Sequence, residues 1–284
     1  MSIANILKTR KPSISFEFFP PKTLAIEKVL FETIDSLQEE NADFSSVTFG
    51  AGGSTADKTF DWINYIKDTC KYETMMHITC VGFDKNTLDN ILEKLENAGI
   101  ENVLALRGDI PKGSDLKQGD FKYASDLVSY IAGRGNFCIG VAGYPEKHPE
   151  SPSFEKDIEM LKYKVDMGAS FIITQLFFDN EYFYRFRERA EKAGINVPIV
   201  AGIMPIVNFS QIERFKVMCS SHIPENLIKS MEGKSEEDIA SIGIDYAVKQ
   251  CEDLVKNQVA GLHFYTLNRS MATKRILDNL HFLP

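Results

Sequence analysis

Short apolar runs rich in β-branched and aromatic residues alternate with longer stretches of helical period along the whole chain. "SISFEFF" leads into a helical stretch from about 24 to 40, and "FSSVTFG" into one around 59 to 69. "TMMHITCV" precedes "NTLDNILEKLENAG", where Leu88, Ile91, Leu92 and Leu95 recur at helical spacing and Gly99 stands just past the end. "NVLALRGD" precedes a helix from about 123 to 132. "NFCIGVAGYP" precedes one from about 154 to 167, closed by Gly168, and "SFIITQLFF" one from about 180 to 193, closed by Gly194. "VPIVAGIMP" comes before "NFSQIERFKVM", and "AGLHFYTLN" before "RSMATKRILDNL". The pattern predicts eight strands, each followed by a helix, with an extra helical insertion over about 224–257 ahead of the last strand. Strands this apolar suit a parallel sheet covered on both faces. No change of composition marks a second domain, so the economical architecture is one (β/α)8 TIM barrel over 1–284. The alternative is an open doubly wound sheet. Against it, the first strand–helix turn, "FFPPKT", lacks the glycine-rich dinucleotide fingerprint.

A barrel of this kind builds its site from the carboxyl ends of the strands. Those ends supply Glu17, Thr48, His77, Arg107, Asp109, Tyr144, Gln175 and Tyr265. On an alternating strand Glu17 shares a face with Ser13 and Ser15, while Ile14, Phe16 and Phe18 face the other way. If the serine face points inward, Glu17 sits at the barrel mouth, and Pro20-Pro21 ends the strand there. An aromatic surround is expected to desolvate this carboxyl and raise its pKa, as suits a general acid. A buried Glu paired with a structural Arg is the other reading. "GAGGST" at 50–55 lacks the P-loop lysine and the GxGxxG spacing; at a strand end it could let a cofactor approach the backbone. Arg107 and Asp109 bracket Gly108, which gives either a phosphate-type donor beside a carboxylate or an ordinary ion pair. In "NFSQIERF", Asn208 can cap a helix, and Gln211 and Phe215 share a face. Plain helix packing accounts for Phe215 as well. No lysine stands at a strand end, which disfavours a Schiff-base barrel.

Composition narrows the classes. The chain has 284 residues, 44% hydrophobic, with a net charge of −8 and pI ≈ 5.3. No Lys/Arg-rich run invites nucleic acid or anionic membrane. No apolar run approaches the roughly 18 residues of a membrane helix, and "MSIANILKTRKPS" has no signal-peptide core. The five cysteines lie far apart without CxxC spacing, which points to a reduced, cytoplasmic protein with no disulfide framework. No His/Cys/Asp cluster has ligand spacing, so no metal is expected.

The motifs "FEFFPPKT", "SVTFGAGGST", "HITC", "LALRGD", "YASDLV", "GVAGYPEKHPES", "KVDMGASFIITQLFFD", "GIMPIVNF" and "LHFYTLNR" occur in the order found in methylenetetrahydrofolate reductases of the bacterial flavoprotein type. The chain resembles that family over nearly its whole length. The resemblance implies a FAD-dependent reduction of 5,10-methylenetetrahydrofolate to 5-methyltetrahydrofolate. NADH, ahead of NADPH, would give a hydride to the flavin and leave before the folate binds, in a ping-pong route feeding methionine synthesis or one-carbon metabolism. It implies a homo-oligomer and no C-terminal regulatory domain. Glu17 would be the general acid, with Asp109 between flavin and pterin. FAD would be held by Phe49, Ala51, His77, Arg107, Gly108, Asp109, Tyr123, Ala124, Tyr144, His148, Asp157 and Lys164. Thr48, Gln175, Gln211, Phe215 and Arg269 would form the shared nicotinamide and folate site. Met160 and Tyr163 stand on a helix where relatives often carry polar or basic residues toward the flavin's nucleotide end. Two other readings remain: a subunit whose flavin takes electrons from a partner protein, such as an iron–sulfur subunit, and a flavin barrel acting on an amino acid such as proline.

Overall fold

A computed structural model describes residues 1–21, 23–48, 56–108, 119–219 and 221–280. Eight parallel strands, β1 (Ser13–Phe18), β2 (Phe44–Val47), β3 (Glu73–Thr79), β4 (Asn102–Leu106), β5 (Cys138–Gly143), β6 (Phe171–Thr174), β7 (Ile199–Ile203) and β8 (Gly261–Tyr265), close in sequence order into a barrel. β1 pairs with β2 on one side and β8 on the other, with Glu17 opposite Ser46 and Tyr265. The sequence reading of a (β/α)8 barrel holds, and the doubly wound sheet is excluded by this closure. The helices after the strands are α2 (Leu24–Leu37), α3 (Ala56–Cys70), α4 (Lys85–Asn97), α5 (Ala124–Ala132), α6 (Phe154–Asp166), α7 (Asn180–Lys192), α8 (Ser210–Cys219) and, after β8, α11 (Ser270–Asp278).

Local chemistry sets the helix ends. Asp84 caps α4 by accepting from the Thr87 N–H at 2.7 Å. The same helix stops at Gly99, whose φ of 65° favours a residue without Cβ, and Ile100 N–H closes back on the Leu95 carbonyl. The expected helix over 24–40 is shorter as α-helix: it ends at Leu37 and continues as one tighter turn, Gln38–Glu40.

The outward face of β1, with Ile14, Phe16 and Phe18, packs on Leu30, Ile34 and Leu37 of α2, all buried. Each such side chain contributes roughly 1.5–3 kcal/mol by burial. The barrel interior is layered. Its lower half is apolar, built from Phe44, Met75, Leu104, Phe171 and Val200. Gly140 makes room there for Phe171: a Cβ at that position would stand 2.4 Å from the ring. A helix that the period did not predict, α1 (Ile3–Thr9), closes this end, with Ile3 and Leu7 joining the same cluster. Its first turn is tied down by the Ile3 N–H donating to Asn102 Oδ1 at 2.8 Å. Seven residues are too few to show a helical repeat, so only the barrel bottom explains α1. The upper half of the interior is polar, with Ser15, Glu17, Ser46, His77 and His263 all buried.

The insertion predicted over 224–257 is two helices, α9 (Glu225–Met231) and α10 (Glu236–Lys256). They build a second core at the rim: Leu227, Met231 and Ile239 pack with Leu176, Phe178, Met204, Ile206 and Phe215. The fit is close at Gly243, where a Cβ would stand 1.7 Å from the Ile206 carbonyl oxygen. No described helix is long and apolar enough to cross a membrane.

Candidate active site

Alternation on β1 turns Ser13, Ser15 and Glu17 into the barrel, and β3 and β8 bring two imidazoles to the same level. Glu17 is 6% exposed. Its Oε1 accepts from the Thr48 hydroxyl at 3.3 Å. Its Oε2 lies 3.4 Å from His263 Nε2 and 3.5 Å from His77 Nε2. The backbone is held as well: the Thr266 hydroxyl donates to the Glu17 carbonyl at 2.7 Å.

The expected aromatic cage around this carboxyl is corrected by the structure. Phe16 and Phe18 belong to the helix-facing core, and the carboxyl's neighbours are two imidazoles and a hydroxyl. The expected rise in pKa is corrected with it. Burial by itself raises the Glu17 pKa, but the charge of His77, the hydrogen bond and charge of His263 and the Thr48 hydroxyl together leave it below the ordinary value. Part of that pull vanishes at neutral pH. Burial pushes His77 below the ordinary imidazole value, so His77 is neutral there, and its Nε2 has no hydrogen-bond partner.

A cleft of about 470 Å³ opens at the same end of the barrel, between the ends of β4 and β5 and the helices α5 and α6. Arg107, Gly108, Tyr123, Ala124, Tyr144, His148, Asp157 and Lys164 all line it. Eight of the twelve expected flavin ligands therefore share one cavity. Gly108 has a φ of 81°, and a Cβ there would press on Thr79 at 2.9 Å, so the chain can turn out of β4 at this point only with glycine. The Arg107 guanidinium forms a two-pronged pair with Glu150, one prong Nη2 to Oε1 at 2.9 Å. Tyr144 and His148 meet edge to face at 4.7 Å between ring centroids. Lys164 is held inward, its Nζ donating to the Ala142 carbonyl at 2.8 Å. Burial lowers its pKa from 10.5 to about 8, against the opposing pull of Asp157. Met160 stands on the cleft wall, whereas Tyr163 lines the neighbouring groove of Lys85, Asp89 and Arg134.

The other expected residues fall in different places. His77 lies inside the barrel against Glu17, and Phe49, Ala51 and Asp109 lie outside the described residues. Thr48 joins the Glu17 group. Gln175 follows β6, with its backbone N–H on the Gly143 carbonyl and its Oε1 accepting from Leu176 N–H. Gln211 Oε1 accepts from the Val207 and Asn208 N–H groups at 2.7 and 3.3 Å, and so fastens the loop before α8. Phe215 is a core residue, 4% exposed and stacked on Phe178. Arg269 is exposed at the start of α11. Tyr265 donates to the Thr174 carbonyl at 2.7 Å. Sequence reasoning missed His263. The signal was there: in "GLHFY" alternation puts it on the face of Tyr265, next to β1. Among the described residues no group of three His, Cys, Asp or Glu could hold a metal ion.

The model of the methylenetetrahydrofolate reductase family matches residues 2–281. The chain is 40% identical to 5,10-methylenetetrahydrofolate reductase of Escherichia coli over 274 residues, 96% of this chain and 92% of that protein. It is also 40% identical to methylenetetrahydrofolate reductase (NADH) 1 of Arabidopsis thaliana over 294 residues, 98% of this chain. It spans 50% of that plant relative's length and 48% of the maize one. Among solved structures, a protein of Clostridium thermocellum described as binding two copies of 5-methyl-5,6,7,8-tetrahydrofolic acid superposes with a TM-score of 0.66. It covers 97% of this chain and 96% of its own at 15% identity, a likeness of fold.

Proposed function

Because this chain belongs to the methylenetetrahydrofolate reductase family, we propose that it reduces 5,10-methylenetetrahydrofolate to 5-methyltetrahydrofolate, with FAD as hydride carrier and NADH as donor. The observation that carries this reading is the presence, at the same end of the barrel, of a buried, hydrogen-bonded carboxyl and a cleft lined by Lys164, Arg107 and Gly108. Reducing the one-carbon bridge needs a hydride at carbon and a proton at nitrogen. No side chain supplies hydride, so a redox carrier has to sit within reach. FAD, when bound, would accept a hydride from NADH and yield it to the one-carbon unit after the nicotinamide has left.

The cleft residues suit that carrier. Gly108 lets the backbone approach, Tyr123 and Ala124 bring the start of α5 to the cleft wall, and Lys164 and the Glu150-paired Arg107 bring positive charge. Asp109, Phe49 and Ala51 complete the proposed set, with His77 reaching from inside the barrel. Glu17 supplies the proton, and Thr48, which holds its Oε1, faces the nicotinamide and folate. Gln175 orients the folate's pterin, Gln211 shapes the loop beside it, and the exposed Arg269 meets an acidic group of the ligand. Phe215 supports the rim under them. The reading places the protein in the cytoplasm as a homo-oligomer, in one-carbon metabolism leading to methionine.

The test is an anaerobic visible spectrum of the purified protein, titrated with NADH and then with methylenetetrahydrofolate. The expected result is a flavin absorbance that bleaches with NADH and returns with the folate. A flavin that ignores NADH and NADPH, yet is reoxidised by the folate after chemical reduction, would replace the nicotinamide with an electron-donating partner protein. A flavin unmoved by the folate would overturn the reading.

A further inference from the structure

The carboxyl ends of β1 and β8 are tied together past the point where their ladder stops, and a side chain does the tying. The register of the two strands runs out at Glu17 opposite Tyr265. Two residues on, Phe19 finds its partner in the side chain of Asn268. The Phe19 N–H donates to Asn268 Oδ1 at 2.9 Å, and the Phe19 carbonyl accepts from Asn268 Nδ2 at 2.8 Å. A backbone N–H can only donate and a carbonyl can only accept, so these partners fix which way the amide points. Asn268 is 6% exposed, and its main chain is held as firmly. Its N–H donates to Thr266 Oγ1 at 3.1 Å, and its carbonyl accepts from the Thr33 hydroxyl on α2 at 2.9 Å.

The chain bends sharply at this point. The Arg269 N–H closes on the Thr266 carbonyl at 2.9 Å, and both residues inside the turn are left-handed, Leu267 with a φ of 50° and Asn268 with a φ of 56°. Asparagine tolerates that region, whereas leucine rarely enters it. Leu267 is kept there by packing on the rim core. Strain of this kind persists where the surrounding structure imposes it, and it gathers at functional sites. What the turn delivers is Arg269, at the cap position of α11. A cation there opposes the helix dipole, and the first turn of α11 carries no acidic residue to answer it. The arginine therefore does not stabilise the helix it begins, and its use is toward a ligand. We propose that Asn268 is the positioning residue of Arg269: its amide adds one rung beyond the β1–β8 ladder, and its left-handed backbone sets the arginine at the barrel mouth in fixed relation to the end of β1. The proposal rests on the folate-reductase reading, in which Arg269 meets an acidic group of the folate.

A double-substitution cycle tests this on the flavin-loaded protein, reduced with dithionite and mixed with methylenetetrahydrofolate in a stopped-flow spectrometer. Asn268→Gly removes the amide and keeps the left-handed backbone, which glycine adopts freely. It should raise the half-saturating folate concentration about 10-fold, and Arg269→Ala should raise it at least as much. On the Arg269→Ala background, Asn268→Gly should add less than about twofold, because a residue that acts through another has nothing left to position. Thr33→Val unties the Asn268 carbonyl without touching the amide and serves where Asn268→Gly does not fold. It should raise the half-saturating concentration about threefold in the wild-type background and leave it in place on the Arg269→Ala background. Penalties that multiply in the double variants, or an unchanged folate dependence in a folded Asn268→Gly, would overturn the proposal. A wild-type flavin that methylenetetrahydrofolate does not reoxidise would instead sink the reductase reading, and with it the ligand for which Arg269 is set.

Discussion

Lys164→Met removes a buried ammonium and leaves a side chain of similar reach. Burial lowers the Lys164 pKa from 10.5 to about 8. At 1.36 kcal/mol per unit, that displacement corresponds to about 3 kcal/mol by which the charged lysine destabilises the fold at neutral pH. Its hydrogen bond to the Ala142 carbonyl returns about 1 kcal/mol. The variant without flavin should therefore be more stable by about 2 kcal/mol. For a chain of this size that is a melting temperature higher by about 4 °C. The sign follows from proton binding. Between the folded value near 8 and the unfolded value of 10.5 the unfolded chain binds more protons, so wild-type stability climbs over that range and the variant's advantage disappears above it. Flavin affinity should move the other way. Loss of a charge-assisted contact to a phosphate weakens binding roughly 10- to 100-fold. Differential scanning fluorimetry with and without FAD, at pH 7 and pH 10, measures both effects. A variant that melts lower than wild type at pH 7, or whose FAD-induced rise in melting temperature is undiminished, would refute the account of Lys164.

Glu17→Gln should keep bleaching of the flavin by NADH and slow its reoxidation by the folate roughly 100-fold or more, read by stopped flow; survival of both half-reactions would remove Glu17 as the acid. Glu146→Gln should raise the melting temperature at pH 8. Burial pushes that carboxyl from 4.5 up to about 7 and its Oε1 has no partner, so its contribution is favourable below pH 4.5 and lost as pH rises through 7, and the variant's gain should shrink on acidification. Gly140→Val drives side-chain atoms into Phe171 and should cost at least about 1–3 kcal/mol in urea unfolding. Leu7→Ala should cost about 2–5 kcal/mol in the same assay, because Leu7 is fully buried under the barrel.

The barrel could be read because each of its strands is followed by a helix whose apolar face repeats over several turns, as Leu88, Ile91, Leu92 and Leu95 do on α4. Glycines such as Gly99 marked where those helices stop. The inward face of Glu17 followed from the two-residue period of β1. What surrounds the carboxyl did not, because β8 lies far from β1 in the chain and pairs with it only on closure, and β3 reaches the carboxyl across the barrel interior from beyond β2. Nothing in the local period of "TMMHITCV" says that His77 faces a carboxylate. Phe215 is a different case. The resemblance made it part of a ligand site, the helical spacing was met by plain packing, and the insertion that buries it lies downstream, where no local period announces the contact. The eight cleft residues came from resemblance, and the fold explains why they travel together: they lie on two neighbouring strand ends and the helices those strands lead into.

The barrel interior is greasy at one end and wet at the other. The α1 plug and the Phe44–Phe171 layer make the end of the barrel away from the mouth largely apolar. On the proposed reading the wet route to Glu17 would be through the mouth, the side on which a folate would lie. A ligand seated there would stand between the proposed acid and bulk water and leave it one proton to spend. Reloading waits for departure. Turnover at high pH would then be limited by how often the acid is charged between visits, and the proton delivered would carry the isotope of the solvent that last touched the empty site.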